Sequence, residues 1–154
     1  MTGPPMRMNK SFLFEKENYL KLAQLVLGLA GLAFAVGCYP NDYLLHCTMR
    51  LYSGNQLFVA CCVNGFFAFF TLLLTIAHLC SLHDVYYHYN FPMLEKLYTT
   101  MAAVTYFIGF GVLLASVVTS HFVAQWILIM VTDLGAFSCY VYDAYLRWTC
   151  EYVL

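Results

Sequence analysis

Four stretches of this chain are apolar over the length that a bilayer demands. They lie at 20–38 (LKLAQLVLGLAGLAFAVGC), 57–79 (LFVACCVNGFFAFFTLLLTIAHL), 97–118 (LYTTMAAVTYFIGFGVLLASVV) and 122–146. A helix rises about 1.5 Å per residue, so about 20 residues cross a hydrocarbon core of about 30 Å. The runs lack the apolar/polar alternation of a membrane barrel strand. The pattern predicts an all-α protein of four transmembrane helices, at about 18–38, 57–80, 95–119 and 122–147. They form one four-span domain over residues 12–148. An N-terminal tail over 1–11, with Gly3-Pro4-Pro5, is expected to be disordered, and a short C-terminal tail covers 149–154.

Within each run the small and polar residues recur at alternating steps of three and four, which places them on one narrow helix face. Helix 1 offers Gln24, Gly28, Gly31, Ala35 and Cys38; helix 2 offers Asn64, Ala68, Thr71, Thr75 and His78. Helix 3 offers Thr105, Gly109, Val112, Ser116 and Thr119; helix 4 offers Ile129, Asp133, Ala136, Tyr140 and Asp143. In lipid no hydrophobic force draws helices together, so small residues permit close approach and Ser, Thr and Asn bond across the gap. The stripes are expected to face one another in a four-helix bundle, and a spacing near 3.5 predicts left-handed crossing at about +20°. The remaining faces, with Phe66, Phe67, Phe69 and Phe70 on helix 2, are expected to meet lipid or a partner's helix.

Asp133 is the most expensive residue in this scheme. An acid at the centre of a membrane helix costs about 2.5 to 3.5 kcal/mol on translocon scales. Its stripe turns it inward, level with Asn64 on helix 2 and Thr105 or Tyr106 on helix 3. Desolvation favours its neutral form, which can donate to the Asn64 side chain. Asp143 lies nearer the membrane edge, within reach of water or Lys96. One acid without a cationic partner makes a poor proton relay, so a helix-locking role is expected ahead of an ion or proton site.

Composition agrees with a membrane protein. Hydrophobic residues make up 62% of the 154 and charged residues 10%, against about 25% charged in soluble domains. The net charge of −1 supplies no basic field for nucleic acid. Every basic residue except Arg50 falls on the side shared by the two termini and the second loop, which the positive-inside rule assigns to the cytoplasm. Ala33-Phe34-Ala35 is similar to a signal-peptide cleavage site, but Glu15, Glu17 and the apolar run continuing to Cys38 argue that the first span is retained. Trp126 and Trp148, about 33 Å apart along a helix, suit the two interfaces. Tyr19, Tyr39, Tyr86, Tyr87 and Tyr145 suit the same belts.

The other candidate chemistry is sparse. Cys38 and Cys47 flank the start of the first outer loop and are candidates for a disulfide; Cys80 and Cys150 are juxtamembrane candidates for palmitoylation. His78, His83 and His88 recur every five residues, which does not stack them on one helix face, so no metal site is expected. Cys61-Cys62 is adjacent rather than C-x-x-C, and no phosphate loop or hydrolase motif appears. No catalytic residue and no cofactor is expected. Glu95-Lys96 reads as an interfacial pair, and Tyr152-Val153-Leu154 is a weak match to a sheet-edge ligand.

Taken in order, these spans resemble the MARVEL family of four-span membrane proteins, which includes MAL, plasmolipin and the chemokine-like-factor group. YLKLAQLVLGLAGLAFAVGC is similar to the opening span, QLFVACCVNGFF to the entry of the second, FPMLEKLYTTMAAVTYFIGFGVLLAS to the third and VYDAYLRW to the family's ending. Asp143 lies in that ending, whereas Asp133 has no counterpart in the pattern. The resemblance covers about residues 12–148 and implies a bundle with both termini cytoplasmic. It implies a non-enzymatic role in vesicle trafficking, membrane apposition or fusion, or lipid-microdomain assembly, in the plasma membrane or in endosomal or secretory vesicles. The implied partners are membrane lipids, other membrane proteins and a second copy of the chain. Two rival expectations are an auxiliary or chaperone subunit of one membrane protein, and a small integral enzyme or transporter that uses Asp133.

Overall fold

The computed structural model describes residues 16–37, 54–80, 91–119 and 124–149. They form four helices: α1 (Lys16–Gly37), α2 (Gly54–Leu79), α3 (Phe91–Thr119) and α4 (Ala124–Thr149). No strand occurs among the described residues. Each helix is long and apolar enough to cross a membrane, so the chain has the character of a multi-pass membrane protein. Against the expected bounds α1 and α2 begin two and three residues early and end one residue short, α4 is displaced by two residues at both ends, and α3 is extended most clearly, beginning at Phe91 with Pro92 in its first turn. Proline is tolerated there because the first N–H groups of a helix have no internal acceptor. Continuing a helix also satisfies backbone groups that hydrocarbon cannot.

The helices pack in the ring order α1–α2–α3–α4. The α3–α4, α1–α4 and α1–α2 seams are extensive, and the α2–α3 seam is thinner. The α1–α2 approach is closest at glycine. A Cβ on Gly31 would lie 2.8 Å from Asn64 Oδ1, and one on Gly28 would lie 3.4 Å from the Ala68 Cβ. Absence of a side chain at these two positions lets α1 settle on the Asn64 face of α2.

The stripes of α1, α2 and α4 run inward. Gln24, Gly28, Gly31 and Ala35 are buried, as are Asn64, Ala68 and Thr71 and all five positions of α4, with Thr75 and His78 half-buried. The stripe of α3 holds at Gly109 and Ser116 and is corrected at Thr105 and Val112. Its buried face runs through Thr99, Ala102, Tyr106, Gly109, Leu113 and Ser116, while Thr105 and Val112 stand half-exposed beside it. The large Tyr106 and Leu113 fill the centre, where the expectation put small residues. Phe67 is also corrected: it lies inside, among Tyr98, Tyr106 and Tyr140, with ring centroids at 5.8, 5.5 and 6.2 Å. Phe66, Phe69 and Phe70 do face outward.

Among the described residues, several hydroxyls bond along their own helix. Those of Thr75, Thr105, Ser116, Thr132 and Ser138 donate to carbonyls one turn back on their own helix, at 2.7 to 3.1 Å. This is the local bond that lets a hydroxyl sit in lipid without a partner from another helix.

Candidate functional site

The interior is a column of polar layers that stops partway through the bundle. At one end the starts of α1 and α3 meet the ends of α2 and α4. Glu95, only 5% exposed, accepts from the Lys21 ammonium through Oε1 and from the Arg147 guanidinium through Oε2. Arg147 Nε donates to Asp143 Oδ1 at 2.8 Å, and Gln24 Nε2 donates to Asp143 Oδ2 at 3.0 Å. The sequence Lys21–Glu95–Arg147–Asp143–Gln24 is a closed circuit. It leaves α1, crosses α3 and α4, and returns to α1. Two cations and two anions balance within it. His78 joins α2 to the same group, with Nε2 3.5 Å from Glu95 Oε1 and Nδ1 2.9 Å from its own Leu74 carbonyl.

The next layer is aromatic. Thr71 Oγ1 lies 2.6 Å from the Tyr140 hydroxyl and 2.9 Å from that of Tyr98, which donates in turn to the Phe67 carbonyl at 3.0 Å. Tyr140 stacks on Tyr106, with centroids 5.4 Å apart and ring planes 20° off parallel.

Asp133 occupies the third layer and is 1% exposed. Asn64 Nδ2 donates to Asp133 Oδ1 at 2.9 Å and to the Ala60 carbonyl at 3.0 Å, and the Tyr106 hydroxyl donates to Asn64 Oδ1 at 3.3 Å. The direction of the expected bond is therefore reversed, because Tyr106 takes the amide oxygen and leaves the amide hydrogens for the acid. Of the two α3 candidates the structure brings Tyr106 to this cluster and turns Thr105 back onto Met101.

Beyond Asp133 the interior becomes apolar: Ala35, Ala60, Leu113, Val117, Trp126 and Ile129 pack together. Trp126 is buried here rather than turned out to an interface, and among the described residues its indole Nε1 has no hydrogen-bond partner. Trp148 is half-exposed, like Tyr19 and Tyr145.

Several sequence expectations change at the charged end. Asp143 is paired with Arg147 and Gln24 rather than with Lys96. Lys96 instead holds its ammonium 5.4 Å from the Trp148 ring centroid, the distance of a cation–π contact. Glu95 and Lys96 are not a pair with each other in this arrangement, since Glu95 turns inward. Lys21, Gln24, Glu95 and Arg147 were not singled out together from the sequence. The usable signal was their level: two bases and two acids at matching depth near one end of the spans.

Cys80 closes α2 with a half-buried free thiol, and Cys61, Cys62 and Cys139 are also free. Cys38, Cys47, Cys150, His83, His88, Tyr39, Tyr86, Tyr87 and the 152–154 ending lie outside the described residues. Among the described residues no group of three or more His, Cys, Asp or Glu could hold a metal ion.

No family model matches the chain, nor does any curated protein or solved structure.

Proposed function

We propose that this protein is a non-catalytic membrane organiser of the MARVEL type. In this reading it is a left-handed bundle with both termini in the cytoplasm. It works in vesicle trafficking, in membrane apposition or fusion, or in the assembly of lipid microdomains, at the plasma membrane or on endosomal or secretory vesicles. The observation that carries the reading is the division between inside and outside. Charged and amide groups bond to one another across the interior, while large aliphatic and aromatic side chains cover the outside, from Val26 and Leu29 to Phe69, Phe107, Ile108 and Val131. A surface of that kind responds to bilayer thickness and packing, because hydrophobic mismatch costs fractions of a kcal/mol per Å. The cytoplasmic placement is supported by Lys21, Lys96 and Arg147 gathering at the end where α1 begins and α4 ends.

The test is reconstitution into giant vesicles with coexisting thick and thin phases, together with crosslinking and mass spectrometry in native membranes. The labelled protein is expected to concentrate in one phase. Even distribution between phases, with no membrane protein crosslinked, would remove the reading. Even distribution with one dominant crosslinked protein would replace it with an auxiliary-subunit role.

A further inference from the structure

All four helices converge on the Glu95 carboxylate. Its Oε1 accepts from the Lys21 ammonium of α1 and faces His78 Nε2 of α2 at 3.5 Å, while its Oε2 accepts from Arg147 of α4. The other nitrogen of the His78 ring has two neighbours that ask for opposite protonation states. Nδ1 lies 3.3 Å from Lys21 Nζ and 2.9 Å from the Leu74 carbonyl oxygen, one turn back on α2. An ammonium only donates, so its contact needs a bare nitrogen; a carbonyl only accepts, so its contact needs an N–H.

The two charge states of the ring choose differently between these neighbours. Neutral imidazole with its proton on Nε2 points that proton at Glu95 and accepts from Lys21 at Nδ1. The other neutral tautomer fits neither Lys21 nor Glu95. Imidazolium keeps its proton toward Glu95, donates the second to Leu74, and sets a positive charge within 3.3 Å of the Lys21 ammonium. In a site withdrawn from water two like charges at that distance repel strongly. Among the described residues the charged groups that face His78 are Lys21 on α1, Glu95 on α3 and Arg147 on α4, with Asp143 behind Arg147.

Position decides which cation yields. Arg147 is held by Asp143 as well as by Glu95. Lys21 sits in the second turn of α1, close behind the exposed Tyr19. Its flexible four-carbon stem can carry the ammonium to the water at that end of the span. The departing charge leaves Glu95 with Arg147 and a charged His78, so the carboxylate keeps two cationic neighbours.

We propose that His78 and Lys21 form a proton-driven switch, in which protonation of His78 transfers Glu95 Oε1 from α1 to α2 and releases the start of α1 from the charged end of the bundle. Gln24 and Asp143 continue to hold α1 against α4. The pH that the switch reads is that of the side on which α1 begins and α4 ends. It stands on the circuit alone and does not require the organiser reading.

The experiment uses the full chain in lipid nanodiscs at about pH 8 and about pH 5, the range over which histidine ordinarily changes charge. Nitrogen-15 NMR of histidine-labelled protein, with the His78 signal assigned by its loss in His78→Gln, reads the ring. It is expected to be neutral with its proton on Nε2 at the higher pH and doubly protonated at the lower. Spin labels carried by non-cysteine side chains at the exposed positions Tyr19 and Leu97 read the separation of α1 from α3. On acidification the population with the longer separation is expected to rise about tenfold, the factor set by losing one hydrogen bond to a charged group. His78→Gln is expected to show one separation at both pH values. Lys21→Met, which lacks the cation that is expelled, is expected to show no pH-dependent separation while its ring still gains a proton. A ring that stays neutral at the lower pH would overturn the switch, as would a protonated ring with the separation unchanged. A pH response that persists in His78→Gln or in Lys21→Met would overturn it as well, because other groups would then carry the change.

Discussion

At one end of the bundle the helices meet through Lys21, Gln24, His78, Glu95, Asp143 and Arg147; at the other they meet through Ala35, Ala60, Leu113, Val117, Trp126 and Ile129. The two halves do different work. In a bilayer an apolar side chain gains little by leaving lipid for protein, so the apolar half contributes close packing and no strong preference for a particular neighbour. The charged half contributes selection. Glu95 is satisfied when α1 and α4 both present their cations at its depth, and a slip by one turn in any of the three helices would strand a charge. The chain thus places its register information in one half and its adhesion in the other.

This contrast can be broken most severely at Glu95. Glu95→Leu leaves Lys21 and Arg147 facing each other in a buried site and is expected to cost about 3–5 kcal/mol. Unfolding by denaturing detergent in mixed micelles measures it. Replacing Lys21 by Met in the same variant is expected to recover much of the loss, because Arg147 then keeps Asp143 as its partner and no charge is left stranded. If the single variant were as stable as wild type, the circuit would not be the source of register.

Gly31→Ala comes next. The added methyl meets Asn64 Oδ1 at 2.8 Å, and the amide has little freedom to yield while bonded to Ala60, Tyr106 and Asp133. The expected loss is about 1–3 kcal/mol, with the α1–α2 separation increased in distance measurements between spin labels.

Asp133 provides a finer comparison between its two replacements. Asp133→Asn keeps an acceptor for the Asn64 amide and is expected to cost under about 1 kcal/mol, near the mean for membrane hydrogen bonds. Asp133→Leu leaves that amide unsatisfied and is expected to cost about 1–3 kcal/mol. Stability in micelles and delivery to the cell surface both read the difference. Equal damage by the two would mean that ionisation, not hydrogen bonding, is what the site requires.

The smallest effect is expected in the apolar half. The Trp126 indole N–H has no acceptor among the described residues, so Trp126→Phe gives up some packing and relieves an unsatisfied donor, for a net change within about 1 kcal/mol. A large loss there would show that this end too depends on a polar contact.

The spans were legible because hydrocarbon thickness sets a minimum length that few other structures require. The inward faces of α1, α2 and α4 were legible because Gly28, Gly31, Asn64, Ala136 and Asp133 contrast with the Leu, Val and Phe around them. On α3 that contrast misled. Thr105 is polar by composition, but its hydroxyl is absorbed by Met101 on its own helix, and the larger Tyr106 takes the interior. Thr105 and Tyr106 are about 100° apart on the helix, so either could have been chosen from spacing alone. Phe67 was misread for a related reason, since four phenylalanines in the five residues 66–70 spread over about 160° of the helix circumference, too wide an arc to lie wholly on the outer face. The charged circuit stayed hidden because charges near span ends are ordinarily solvated or interfacial. Their pairing depends on which helix neighbours which, and the sequence does not state it.

The closed circuit also bears on the order in which the chain can settle. Ribosomes deliver the N-terminus first, so Lys21 and Gln24 enter the bilayer before Glu95, Asp143 and Arg147 have been made. The first span must wait with its ammonium near the water and its amide unmatched until the third and fourth arrive. A stalled or truncated product that ends before α4 never meets that condition and keeps polar groups on view within the membrane. Arrival of α4 and closure of the four-helix fold are thereby joined at a single junction.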